Sequence, residues 1–169
     1  RDSSRNGRVA KIARARWLRT GGETTSNLSA VDVKKALPFQ GHRYLHVKEL
    51  LSWNEAQAQA EQLGGHLATI TSQAEQDWVV ANIAASLAPG RGAWIGGTRE
   101  GTPGRWSWVT GEPFEFQAWH PGEPTNALHE PVMVLIGRDG TATLGWADIA
   151  ANGFTNVDRR GGFIVEWDD

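Results

Sequence analysis

The sequence predicts an α+β domain in which two helices pack on short antiparallel sheets beside a long loop. Three observations carry that reading. Two well-marked helix starts come first, short strand patterns follow, and a proline- and glutamate-rich segment between Gly111 and Pro131 interrupts the strands. A chain of 169 residues has room for one domain with its own core and some additional chain. Residues 38–169 hold the hydrophobic pattern, and residues 1–37 read as a basic arm and polar linker.

The arm is set apart by charge. Residues 1–19 carry seven basic side chains against Asp2, whereas the whole chain has a net charge of −2. Val9, Ile12, Ala13 and Trp17 would share one face of a basic amphipathic helix, while Ala13 to Trp17 also alternates as an edge strand would. A simple interdomain segment is the plainer reading, and no clear nucleic-acid signal stands against it. The sequence opens on Arg1, not Met, and is read as a piece of a longer protein or assembly.

Within the domain, His42–Lys48 is the first strand candidate. Ser52-Trp-Asn-Glu55 and Ser72-Gln-Ala-Glu75 both match the capping box, in which a serine caps a backbone N–H and a glutamate reaches back. The first helix should bury Trp53, Ala56, Ala60 and Leu63 before Gly64–Gly65 ends it. The second should bury Val79, Ile83 and Leu87 and stop at Pro89–Gly90. Strand grammar takes over after Gly92. Trp94–Ile95 is a short strand ahead of Gly96–Gly97, and Arg105–Val109 alternates so that Trp106 and Trp108 share a face. Val132–Ile136 suits a buried strand, Asp139–Gly140 a turn into Thr141–Leu144, and Phe163–Trp167 a last strand.

Composition removes several function classes. With no cysteine there are no disulfides, thiol nucleophiles or Cys-ligated metals. No apolar run approaches the roughly 18–20 residues of a transmembrane helix. Neither a nucleophile elbow, a His-Glu-x-x-His helix nor a phosphate-binding loop is present, so an enzyme is not expected. His42 and His46 fall on one side of a strand and, without an acid close in sequence, read as surface histidines. His66 reads as a polar residue after the helix-ending glycines, and Glu112 and Glu115 as solvated loop charges. Asn27-Leu-Ser29 is a lone glycosylation sequon. Of the nine tryptophans, Trp53, Trp78, Trp94, Trp106, Trp108 and Trp146 sit at core-like positions, and Trp119 is assigned to the core as well.

Several stretches in order carry a resemblance. They are Ser52 to Ala56, Leu63 to Ile70, Trp94-Ile-Gly96, Trp106 to Gly111, Trp119 to Pro124, Gly145 to Asp148 and Phe163 to Glu166. Residues 39–169 resemble a C-type lectin-like domain, in a cysteine-free form of the bacterial type. The resemblance implies two disulfides at Ala60 with Val165 and at Val132 with Ala151, where apolar side chains stand instead. Each lost bridge costs about 2–4 kcal/mol, and tighter apolar packing offsets part of that.

The resemblance also implies where a ligand binds. In sugar-binding members a calcium ion sits between a Glu-Pro-Asn loop, a later glutamate and a Trp-Asn-Asp strand, and the proline is commonly cis. Here Glu123-Pro124-Thr125-Asn126 places Thr125 where the amide belongs, Glu130 matches the later glutamate, and Trp146-Ala147-Asp148 has lost its amide. Glu123, Glu130 and Asp148 are thus the implied metal ligands, with Asn126 as a substitute, and the same residues with Thr125 are the implied carbohydrate contacts. A plainer alternative makes Glu123-Pro124 a turn that Asp148 braces. Arg99-Glu100-Gly101 and Pro131 lack the acids of the family's auxiliary calcium site. Two readings follow: carbohydrate recognition, with or without calcium, and calcium-independent protein–protein recognition. Either implies an extracellular or cell-surface setting.

Overall fold

The computed structural model describes residues 31–100, 104–137, 143–152 and 160–168. The expected elements of the arm, the sequon and the Asp139–Gly140 turn lie outside them. A 3-10 turn at Val33–Lys35 leads into β1 (Leu37–Phe39) and β2 (His42–Val47). Next come α1 (Trp53–Gln62), β3 (His66–Leu67), α2 (Gln73–Asn82) and a second 3-10 turn at Ala84–Ser86. The remaining strands are β4 (Gly92–Thr98), β5 (Ser107–Trp108), β6 (Val132–Gly137), β7 (Leu144–Ile149) and β8 (Arg160–Asp168).

The strands join in the order β1-β2-β8-β4-β6-β7, with β3 added to β8 and β5 to β4. The C-terminal strand is therefore central, antiparallel to β2 and parallel to β4. Strand alternation then divides the core in two. Ile164, Ile95, Met133 and Leu135 point to one side, with Val79 of α2 and Trp146. Phe163, Val165, Trp94, Val132 and Val134 point to the other, with Trp53, Ala56 and Ala60 of α1. Of the four positions that the resemblance implies for disulfides, Ala60, Val165 and Val132 are buried in this second cluster and Ala151 packs against it, so apolar contacts join all four.

Most expected elements appear, and the departures have identifiable causes. The capping box of α1 is complete, with Ser52 accepting from Glu55 N–H and Glu55 reaching back to the Ser52 N–H. In α2 only the serine half forms: Ser72 accepts from Glu75 N–H, while Glu75 instead takes the Thr71 N–H at 2.8 Å and the Tyr44 hydroxyl at 2.6 Å. Leu63 and Leu87 are partly buried at the margins of the two clusters. The second helix stops at Asn82, short of Leu87.

Gly96 and Gly97 do not end β4, as the sequence suggested, but lie inside it. A Cβ at Gly96 would collide with the Leu67 carbonyl, and one at Gly97 with Met133, so these glycines permit close strand packing. The Arg105–Val109 pattern pairs only at Ser107–Trp108, with Trp108 buried and Trp106 half-buried.

Candidate functional site

The long segment after β5 is held by its aromatic residues. Trp146 of β7 is fully enclosed and its indole N–H donates to Gln76 Oε1 at 2.9 Å. Trp108, Phe114, Phe116 and Trp119 pack around it with ring centroids 5.3–6.1 Å away. Backbone bonds extend the hold, since Trp146 N–H donates to Ala118 O at 2.8 Å and His120 N–H to Trp146 O at 2.9 Å. The His120 ring then caps the Ile136 carbonyl through Nε2 at 2.6 Å. Trp119 is half-buried against this block, mostly in keeping with a core role.

Glu123-Pro124 follows directly, in the cis form. Asp148 is 6% exposed and turns both carboxylate oxygens toward the loop. Its Oδ1 accepts from Thr125 N–H at 2.8 Å and its Oδ2 from Asn126 N–H at 2.7 Å. The Thr125 hydroxyl donates to Glu130 Oε2 at 2.7 Å. Asn126 has φ +55°, a left-handed conformation that asparagine tolerates better than most residues, and its Oδ1 accepts from Trp106 Nε1 at 3.2 Å. Thr125, Asn126, Glu130 and Asp148 thus form one hydrogen-bonded patch. Glu123 adjoins it through the cis bond, with Oε2 enclosed.

Arg99 has a role that the sequence alone did not assign. Its guanidinium donates to the carbonyls of Ala127 and Glu130, its own N–H donates to Pro131 O at 2.9 Å, and it lies 5.9 Å from the Trp106 ring centroid. The missing acids of Arg99-Glu100-Gly101 are therefore matched by a cation that braces the loop from just past the end of β4. No local pattern could signal this, because the partners are 28 to 31 residues apart. Glu112 also departs from expectation. It accepts from the hydroxyls of Thr69 at 2.6 Å and Thr110 at 2.8 Å, and is a structural acceptor where a solvated charge was expected.

Residues 49–150 match the family model described as the lectin C-type domain. The chain is 34% identical over 118 residues to mouse C-type lectin domain family 4 member A, covering 68% of this chain and 47% of that protein. Among solved structures it resembles the C-type lectin domain of murine dendritic cell inhibitory receptor 2 in complex with N-glycan. There the TM-score is 0.65 and the identity 28%, over 80% of this chain and 98% of that one. The carbohydrate-recognition domain of mouse scavenger receptor C-type lectin gives 0.63 and 26%, over 79% and 93%. The chain spans less than half the length of the first of these relatives. With its fold, its loop and this match over most of its length, the chain belongs to the C-type lectin domain family.

Proposed function

We propose that this non-enzymatic recognition domain binds carbohydrate through the patch formed by Glu123, Thr125, Asn126, Glu130 and Asp148. The observation that carries the reading is the Asp148 latch, which fixes the backbone of Thr125 and Asn126 while leaving their side chains exposed beside Glu130. Such a preformed row of carboxylate, amide and hydroxyl groups suits sugar hydroxyls, which both donate and accept. The N-glycan complex of a relative 28% identical supports the same class of ligand. A module of this kind serves an extracellular or cell-surface setting.

Calcium fits this patch poorly. The ion takes 6–8 oxygens at roughly 2.3–2.6 Å. Both Asp148 oxygens already accept backbone N–H groups, and Glu130 accepts the Thr125 hydroxyl. Thr125 and Ala147 supply no amide oxygen. Among the described residues, Glu123, Glu130 and Asp148 do not form a trio whose ligand atoms all lie within 4.8 Å of one another. Recognition is accordingly assigned to direct hydrogen bonds.

A glycan array in the presence of a chelator, run with wild type and Glu130→Ala, tests the reading. Binding should persist without calcium and weaken by about tenfold or more in the variant, since a hydrogen bond to a charged group contributes about 1.5–3 kcal/mol. Loss of all glycan binding on chelation would instead place calcium in the site. Absence of glycan binding in every condition favours the second reading, a protein ligand. Leu128 favours that reading: it is 91% exposed and lines an open cleft with Ser52, Asn54, His129, Pro131 and Ala150.

A further inference from the structure

A second cluster lies on the part of the sheet formed by β2, β3 and β8. The pairing sets His42 opposite Asp168, Tyr44 opposite Glu166, and His66 opposite Glu166. Because side chains alternate along a strand, His42, His66, Glu166 and Asp168 emerge on the same face. His42 Nδ1 is 2.9 Å from Glu166 Oε1 and 2.9 Å from Asp168 Oδ1. His66 Nε2 is 3.6 Å from Asp168 Oδ2. The sequence reading, which found no acid near His42, missed these partners because Glu166 and Asp168 both lie at the far end of the chain, Asp168 126 residues away.

The His66 ring is the informative member. Its Nδ1 lies 3.0 Å from the Leu67 carbonyl, a bond that puts the proton on Nδ1 and leaves Nε2 with a lone pair. That Nε2 is enclosed, makes no hydrogen bond, and is directed at Asp168. An imidazole held by a backbone carbonyl with its other nitrogen open is the arrangement that orients histidines toward metal ions. His42 Nδ1 and one oxygen each of Glu166 and Asp168 lie within 4.8 Å of one another, the only such trio among the described residues. Glu166 is 1% exposed and Asp168 66%, so the cluster has an enclosed floor and a solvent entrance.

We propose that His42, Glu166 and Asp168 form a binding site for a divalent transition metal of the zinc type, with His66 Nε2, beside Asp168, as the fourth donor. Two nitrogen and two carboxylate donors suit a four-coordinate borderline ion, with Zn–N at about 2.0–2.1 Å, and not the all-oxygen shells of calcium or magnesium. Both carboxylates face the two imidazoles from β8, so the surroundings attract positive charge. An ion here ties β2 and β3 to the C-terminal strand in a domain without a disulfide.

Titration of the full chain with zinc chloride, followed by calorimetry and thermal unfolding, tests the site. One ion per chain should bind and raise the melting temperature. His66→Gln and Asp168→Asn should each weaken it by about 10–100-fold, at least the loss seen when only an outer-shell partner is removed. Asp168 is largely exposed, so Asp168→Asn reports on the ion even if His66→Gln disturbs packing. No heat at millimolar zinc overturns the proposal. So does zinc binding unchanged in both variants, because the ion would then be held elsewhere.

Discussion

Asp148 and Glu166 are both buried carboxylates at the ends of long-range contacts, and they are satisfied in different ways. Asp148 takes its donors from the backbone of Thr125 and Asn126, groups whose protons cannot leave. Glu166 takes the Thr69 N–H at 2.8 Å, the Tyr44 hydroxyl at 3.2 Å, and the His42 ring. An imidazole can exchange its proton for a metal ion, whereas an amide cannot. The comparison separates two uses of a buried charge: Asp148 fixes the backbone of the loop at Thr125 and Asn126, and Glu166 forms the floor of the cluster proposed to take a metal ion.

Removing each carboxylate should break the comparison most visibly. Glu166→Ala strips the acceptor from several enclosed donors at once and should cost about 3–5 kcal/mol in urea or thermal unfolding. Asp148→Ala should cost less, about 2 kcal/mol, because Thr125 and Asn126 are exposed and water can replace the lost acceptor. That variant should nonetheless lose glycan binding while keeping zinc binding. Equal losses of stability would undo the distinction drawn between the two acids.

A gain of function sharpens it further. Thr125→Asn with Ala147→Asn supplies the two missing amides and should produce calcium heat in the millimolar range or tighter, where wild type shows little. An inert double variant would mean that the Asp148 latch, not the missing amides, keeps calcium out.

The smallest effect concerns the two histidines of β2. Burial, the largest influence, and Lys48 hold His46 below 6.5 even though its ring contacts the Gly161 carbonyl. The folded state therefore favours neutral His46, and the unfolded chain binds its proton first as pH falls. Stability from this group is present above about pH 6.5 and is lost on acidification toward the lower folded value. A pH series of unfolding curves should show this slope in wild type and a flatter one in His46→Gln. His42, with its value raised, contributes in the opposite sense: its share is present below 6.5 and fades as pH rises through the folded value.

Local signals in the sequence were reliable where the physics is local. The Ser52 capping box needs only residues three apart, and it forms as read. The same motif at Ser72 is half realised because Tyr44, 31 residues away, offers Glu75 a buried hydroxyl. Gly96 and Gly97 looked like a strand end because glycine marks turns as well as close packing, and only neighbouring strands distinguish the two. The loop patch could be outlined through family resemblance, but the Asp148 latch and the Arg99 brace could not. Both join side chains to backbone groups more than 20 residues distant.

By itself, then, the sequence determined the α+β class, the two helix starts, the cysteine-free core and the positions of the loop acids. Periodicity and capping depend on neighbours a few residues apart. The tertiary structure alone decided what the acids and histidines do. It placed His42, His66, Glu166 and Asp168 on one face by pairing the C-terminal strand with β2 and β3. It also directed both oxygens of Asp148 inward onto the loop. A buried carboxylate must find donors, and strand register determines which donors are within reach.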